Sequence, residues 1–202
     1  MKMRFVLMIF IVFGLFHFVS AQMSNPALRD ELLNMEKVDQ EERKKCMTGD
    51  ADSQAQCFVK LAETVDSANT KRLEELFDRF GFPNKKMVGA EAVQAFMILL
   101  QHTTTDKLRE RSVKPITKAF TAKELTPQDY ANFIDRLRLH QGKGQLYGSG
   151  FESKDGKLVL SKTDDIRNLE KRRRRIGLPP LSEYIQMLKD MYHLEVQVPV
   201  LR

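Results

Sequence analysis

The chain has 202 residues, 42% of them hydrophobic, and a formal charge of +6 from 33 Lys and Arg against 27 Asp and Glu. That is enough apolar material for one ordinary domain with a real core. A charge so mild, spread through helices, gives no ground for a nucleic-acid partner, and the absence of GxSxG, HExxH and Walker patterns removes support for most familiar enzyme classes.

At the N-terminus, Lys2 and Arg4 precede an apolar run from Phe5 to Val19, and Val19-Ser20-Ala21 sets small residues where a signal peptidase reads. This predicts a secretory signal over residues 1–21, cleaved after Ala21. Counted through Ala21, the run approaches the ~20 residues of a membrane span, so a retained anchor is the alternative; after cleavage no stable span is expected. Export places Cys46 and Cys57 where disulfides persist. The loop MTGDADSQAQ between them holds no histidine, which fits neither a zinc site nor a CxxC redox pair. One bridge is expected, contributing roughly 3 kcal/mol through loop closure.

Ala27 to Lys45 is rich in helix formers, with Leu28, Leu32, Leu33, Met35 and Val38 near helical spacing, which reads as a surface helix. Further helices are expected over Gln54–Val65 and Lys71–Phe80, the latter stopped by Gly81 ahead of Pro83. From Ala92 to Leu100 only Gln94 is polar, so Gly89–His102 should be a central helix surrounded by protein. Asp106–Thr121 alternates charged and apolar residues, with Pro115 expected to kink or split it. Thr126 caps a helix that starts at Pro127, runs to about His140 and ends at Gly142. The glycines of Gly144–Ser161 suggest a hairpin with strands Gln145–Phe151 and Leu158–Leu160. Asp164-Asp165 open a helix to Ile176, Gly177-Leu178-Pro179-Pro180 breaks it, and a last helix, Leu181–Tyr192, precedes an extended tail.

The fold class is therefore mainly α, a multi-helix single domain with one small β-hairpin. Its expected organisation is a disulfide-closed helical hairpin over 22–70, a helical domain over 71–193 with the hairpin at about 144–161, and a tail over 194–202.

Candidate chemistry is sparse. His102 ends the buried helix, where the dipole favours an imidazolium; it could serve as acid, base or metal ligand, or simply cap the last carbonyls. Asp135 lies off the stripe of Tyr130, Phe133, Ile134 and Leu137, so it reads as a solvated carboxylate paired with Arg138, unless the hairpin covers that face. Arg136 falls nearer the stripe's edge, one turn before His140. The glycines at 142, 144, 148 and 150 follow a helix and precede a strand, the wrong order for a dinucleotide loop. In a strand, Gln145 and Tyr147 would offer an amide and a phenol on one face. Lys171 to Arg175 is the most basic run, read either as an anion grip or as a solvated helix face with one or two arginine stems laid across its stripe.

Gly81-Phe82-Pro83, Val88-Gly89, Ala95-Phe96, Gln101-His102, Tyr130, Asp135-Arg136, Gly142, Gln145, Tyr147-Gly148, Gly177-Leu178-Pro179, Leu181 and Glu183-Tyr184 stand in an order and spacing that resembles a bacterial domain family of unknown function. The resemblance covers roughly Phe77 to Tyr192. It implies a polar signature on His102, Asp135, Arg136, Gln145 and Tyr147, with Arg173 as a weaker member; where many members read YGTQ, this chain has Tyr147-Gly148-Ser149-Gly150.

From these residues the expectation is a pocket for a small polar or anionic ligand. His102 would be the proton-transfer group, Asp135 its partner, Arg136 the anion clamp, and Gln145, Tyr147 and Arg173 ligand binders, suited to hydrolysis or group transfer. The alternative is a non-catalytic module of the cell envelope in which the same residues form a structural network. No cofactor is expected; a metal on His102 and His140 is the variant that elemental analysis would test.

Overall fold

Each helix in the computed structural model, which describes residues 23–154 and 156–198, follows from a local start or stop signal. The expected signal segment lies outside the described residues. α1 (Pro26–Cys46) begins at Asn25, whose side chain accepts from the Leu28 N–H, with Pro26 in the first turn where its missing N–H costs nothing. Leu28 and Leu32 are buried on its inner face, and Arg43, Lys44 and Lys45 crowd its C-terminal turn, where the dipole favours cations. α2 (Ala51–Leu61) is capped by Asp50, and a Cys46–Cys57 disulfide ties it to α1.

The two helices expected across 54–80 are one continuous helical stretch. α2 passes through a single π-type turn, Ala62–Asp66, into α3 (Ser67–Phe80). No Gly or Pro interrupts residues 62–70, so nothing local forces a break. The wider turn carries Asp66 into a buried position, and such insertions often mark a place where a side chain must be re-aimed.

α4 (Lys85–Gln101) is the central element. Its inner residues, among them Ala92, Phe96, Met97 and Leu100, are almost fully buried, and they share one core with Leu28, Leu32, Leu73, Leu108, Ile116 and Phe133. Gly89 breaks its regularity with φ 81°, and a side chain there would run into Met23. α5 (Asp106–Thr121) contains Pro115 yet remains one element. α6 (Pro127–His140) starts at the Thr126 cap.

The strands differ from expectation. β1 is Phe151–Lys154 and β2 is Lys157–Leu160, paired antiparallel with Phe151 opposite Leu160. Residues 145–150 are not strand; only Gln145 bridges to Thr163. The tail adds β3 (Val196–Gln197), parallel to β2, so the sheet has three strands in the order β1-β2-β3. After a 3-10 turn at Ile166–Asn168 come α7 (Leu169–Arg175) and α8 (Leu181–Tyr192). Leu160, Leu169 and Leu181 form a second, smaller core under the sheet, with Phe151, Tyr184 and Val198 packed on it. None of the described helices is long and apolar enough to cross a membrane.

Candidate functional site

Two adjacent pairs in the sequence, Gln101-His102 and Asp135-Arg136, were expected to act together, and the structure divides both. Consecutive helical positions point about 100° apart, so each pair sends one member to a buried network and the other to an open hollow.

His102 closes α4 and belongs to the first network. Its Nδ1 lies 3.0 Å from Asp39 Oδ2 and 3.0 Å from Arg43 Nε, both on α1. Arg43 also donates to Asp39 and, through Nη2, to Asp66 in the π-type turn. Asp39 is fully buried. Burial pushes its carboxyl up, but the hydrogen bonds and charges of His102 and Arg43 outweigh that and hold it below the usual carboxylate range. The cluster fastens α1, α4 and the turn between α2 and α3. Sequence reasoning passed over Asp39 and Arg43, although one signal was present: Asp39 stands on the same i, i+4, i+3 stripe as Leu28, Leu32 and Met35, a carboxylate in an apolar row.

Asp135 is the centre of the second network. It is buried rather than solvated and does not pair with Arg138. Its oxygens accept the N–H groups of Leu146, Tyr147 and Ser149 and the Ser149 hydroxyl, at 2.7–3.0 Å. The covering layer is the irregular loop 144–150. Most backbone groups of that loop are matched by a side chain or by the main chain of residues 161–164, just after β2, as buried backbone usually is; those of Gly148 have no partner among the described residues. Arg138 binds the Gly144 carbonyl, Arg172 that of Leu146, Arg173 that of Tyr147, and the Tyr184 hydroxyl that of Ser149. Fully buried Gln145 closes the loop upon itself, accepting from the Gly150 N–H and donating to the Gly150 and Ser161 carbonyls. Glycine is required at 144, where a Cβ would meet the Asp164 carboxylate at 2.1 Å, and favoured at 150, where it would stand 3.0 Å from Gln145 Oε1.

Tyr147 sits with its ring against Tyr130 and its hydroxyl pKa raised, first by burial and then by Tyr130 and Asp135. Arg173 is completely buried, bound to the Tyr147 and Pro179 carbonyls and laid over the Tyr184 ring; burial pushes its pKa down. Within the basic run, Arg172 and Arg173 thus face inward and organise the loop, while Lys171, Arg174 and Arg175 are exposed.

The loop is one wall of a hollow of about 240 Å³. Ser149, Gly150, Phe151, Glu152 and Ser161 line it on that side, Gln101 comes from the end of α4, and Asn132, Arg136, Leu139 and His140 form a stripe on α6 at helical spacing. Of the six expected site residues, only Arg136 lines it. His102, Asp135, Gln145, Tyr147 and Arg173 stand in the networks behind.

Arg136 is exposed at its surface yet ringed by protein atoms, as a group standing inside a concavity is. Burial, then the nearby charges of Arg109 and Arg43, push its pKa down, though a guanidinium stays protonated in water. Among the described residues it makes neither a hydrogen bond nor an ion pair, and the side chains of Gln101, Ser161 and Glu152 likewise have no hydrogen-bond partner there. His140 Nδ1 is 3.5 Å from Asp106; burial and Arg109 lower its pKa, with Asp106 opposing. Beneath the hollow, Arg109 is buried and caps α4 by donating to the Gln101 and Thr103 carbonyls, and its Nε has no partner. Arg109 is itself paired with Asp106, and the unpartnered side chains of the hollow offer donors on Arg136, Gln101 and Ser161 and acceptors on Gln101, Ser161 and Glu152. Among the described residues no three His, Cys, Asp or Glu side chains converge as a metal site would need; His102 and His140 point into different surroundings.

A family described only as a family of unknown function, DUF6624, matches residues 26–197. The chain belongs to this family. No curated protein and no solved structure matches the chain. The DUF6624 match takes in α1 as well as the loop, so it contains both buried networks and every residue lining the hollow.

Proposed function

We propose that the hollow binds a small, oxygen-rich anion, with Arg136 as its clamp and His140, Gln101, Asn132 and Ser161 as the groups that orient it. The observation that carries this reading is Arg136, a guanidinium that lines the hollow and makes no ion pair or hydrogen bond among the described residues. A guanidinium held in a concavity presents a planar fork of N–H donors that matches a carboxylate or phosphate. The loop supports the reading because most of its backbone is already hydrogen-bonded within the protein, which holds the wall in place before any ligand arrives and lowers the ordering cost of binding.

Any proton transfer in this site falls to His140, with Asp106 as its orienting partner, in place of the role first expected for His102. His102 and Asp135 then serve as positioning residues for the two walls. Exported working conditions accord with the N-terminal apolar run and with the Cys46–Cys57 bridge, which persists in oxidising compartments.

The test is calorimetric titration of the purified chain with inorganic phosphate, acetate and succinate. Saturable binding of at least one, lost in Arg136→Ala at unchanged melting temperature, is the expected result. Failure of all three to bind, or equal binding to Arg136→Ala, would sink the reading.

A further inference from the structure

The hollow also holds one acid. Glu152 is the second residue of β1. It lines the hollow together with its neighbour Phe151, whose ring also packs on Tyr184, 6.1 Å between centroids. Its cross-strand neighbour is Val159, which offers no charge. Among the described residues Glu152 makes no ion pair, even with Arg136, which lines the same hollow from α6. An acid from β1 and a guanidinium from α6 thus line one hollow without pairing among the described residues, with the apolar Leu139 also in its lining.

Resting on the anion-site reading above, we propose that the ligand is a small zwitterion of the amino-acid type. Its carboxylate sits on Arg136, its ammonium on Glu152, and its side chain lies along Leu139. A ligand carrying both charges satisfies both walls, whereas a simple anion leaves Glu152 unmatched and close to its own charge. The volume, about 240 Å³, lies below the usual range for pockets that hold drug-sized molecules. That favours a free amino acid over a longer peptide.

The experiment titrates the full chain with the protein amino acids, each against its des-amino acid, which keeps the carboxylate and lacks the ammonium. At least one amino acid is expected to bind about fivefold more tightly than its des-amino partner, the size of one partly screened ion pair. Glu152→Gln should abolish that preference while leaving des-amino affinity within about twofold, and Arg136→Ala should remove both. Glu152 is exposed, so its replacement leaves folding intact. If every des-amino acid binds as tightly as its partner, or if the preference survives in Glu152→Gln, the zwitterion is overturned while the anion site stands. If no carboxylate or phosphate binds at all, both fall.

Discussion

Two charged clusters meet the end of α4, and they have opposite characters. In the Asp39–Arg43–Asp66–His102 junction every charge has a counter-charge within hydrogen-bonding reach. In the hollow, Arg136 and Glu152 line the same space, and neither makes an ion pair among the described residues. Buried polar groups that satisfy one another specify a fold, whereas polar groups that converge on an opening without satisfying one another are the ones proposed here to meet a ligand. The comparison separates the two roles more sharply than residue type could, because arginine, histidine and acid occur in both clusters.

The comparison breaks if the buried side proves dispensable. Asp135→Ala removes the acceptor for four hydrogen bonds inside the loop and should destabilise by about 3 kcal/mol or more, read as a lowered urea midpoint. Asp39→Asn should cost about 2 to 3 kcal/mol near neutral pH, because Arg43 and His102 lose their anion. Its pH dependence sharpens the point. A carboxylate with a lowered folded pKa contributes stability above its unfolded value and loses it as pH falls through the folded one. The gap between wild type and Asp39→Asn should therefore close in acid, below about pH 4, and a gap that stays constant would refute the pairing.

On the open side, stability should hardly move. Arg136→Ala is expected to change the unfolding free energy by less than about 0.5 kcal/mol while removing anion binding, so a large loss of stability would reassign Arg136 to the scaffold. The smallest effect belongs to His140. With its folded pKa lowered, the neutral ring is favoured in the fold, so its contribution is full above the ordinary histidine value and is lost as pH falls below it. A bound anion opposes that loss. His140→Gln should flatten both the stability profile near about pH 6 and the rise of anion affinity on acidification, seen by titration at two pH values.

Much of the fold was legible. The stripes of α4 and α6, the Thr126-Pro127 start, the turn at Gly177 and the Cys46–Cys57 bridge all rest on local chemistry, and local chemistry is written in the sequence. The loop 144–150 was not legible as a loop. Its spaced glycines and polar residues imitate a strand, and what fixes it instead is side chains from residues 135, 138, 172, 173 and 184, long-range contacts without periodicity. Asp135 looked solvated for the same reason, since the layer that buries it has no hydrophobic pattern. The join at 62–66 was missed because a π-type turn shifts the helical phase.

The candidate site was half legible. The resemblance drew attention to Asp135, Gln145, Tyr147 and Arg173, and these residues build a wall. The rest of the hollow's lining comes from Asn132, Arg136 and His140, whose four-residue spacing on α6 could have been read from the sequence, and from Glu152 and Ser161, which could not.

The manner in which loop 144–150 is held has a consequence for synthesis. Its carbonyls wait for Arg172, Arg173 and Tyr184, which are added after the loop itself has been made. A chain interrupted before α7 could assemble α1 to α6 around α4 and still have no hollow. On the reading proposed above, the binding surface is thus completed only when the final helices have closed over the back of the loop.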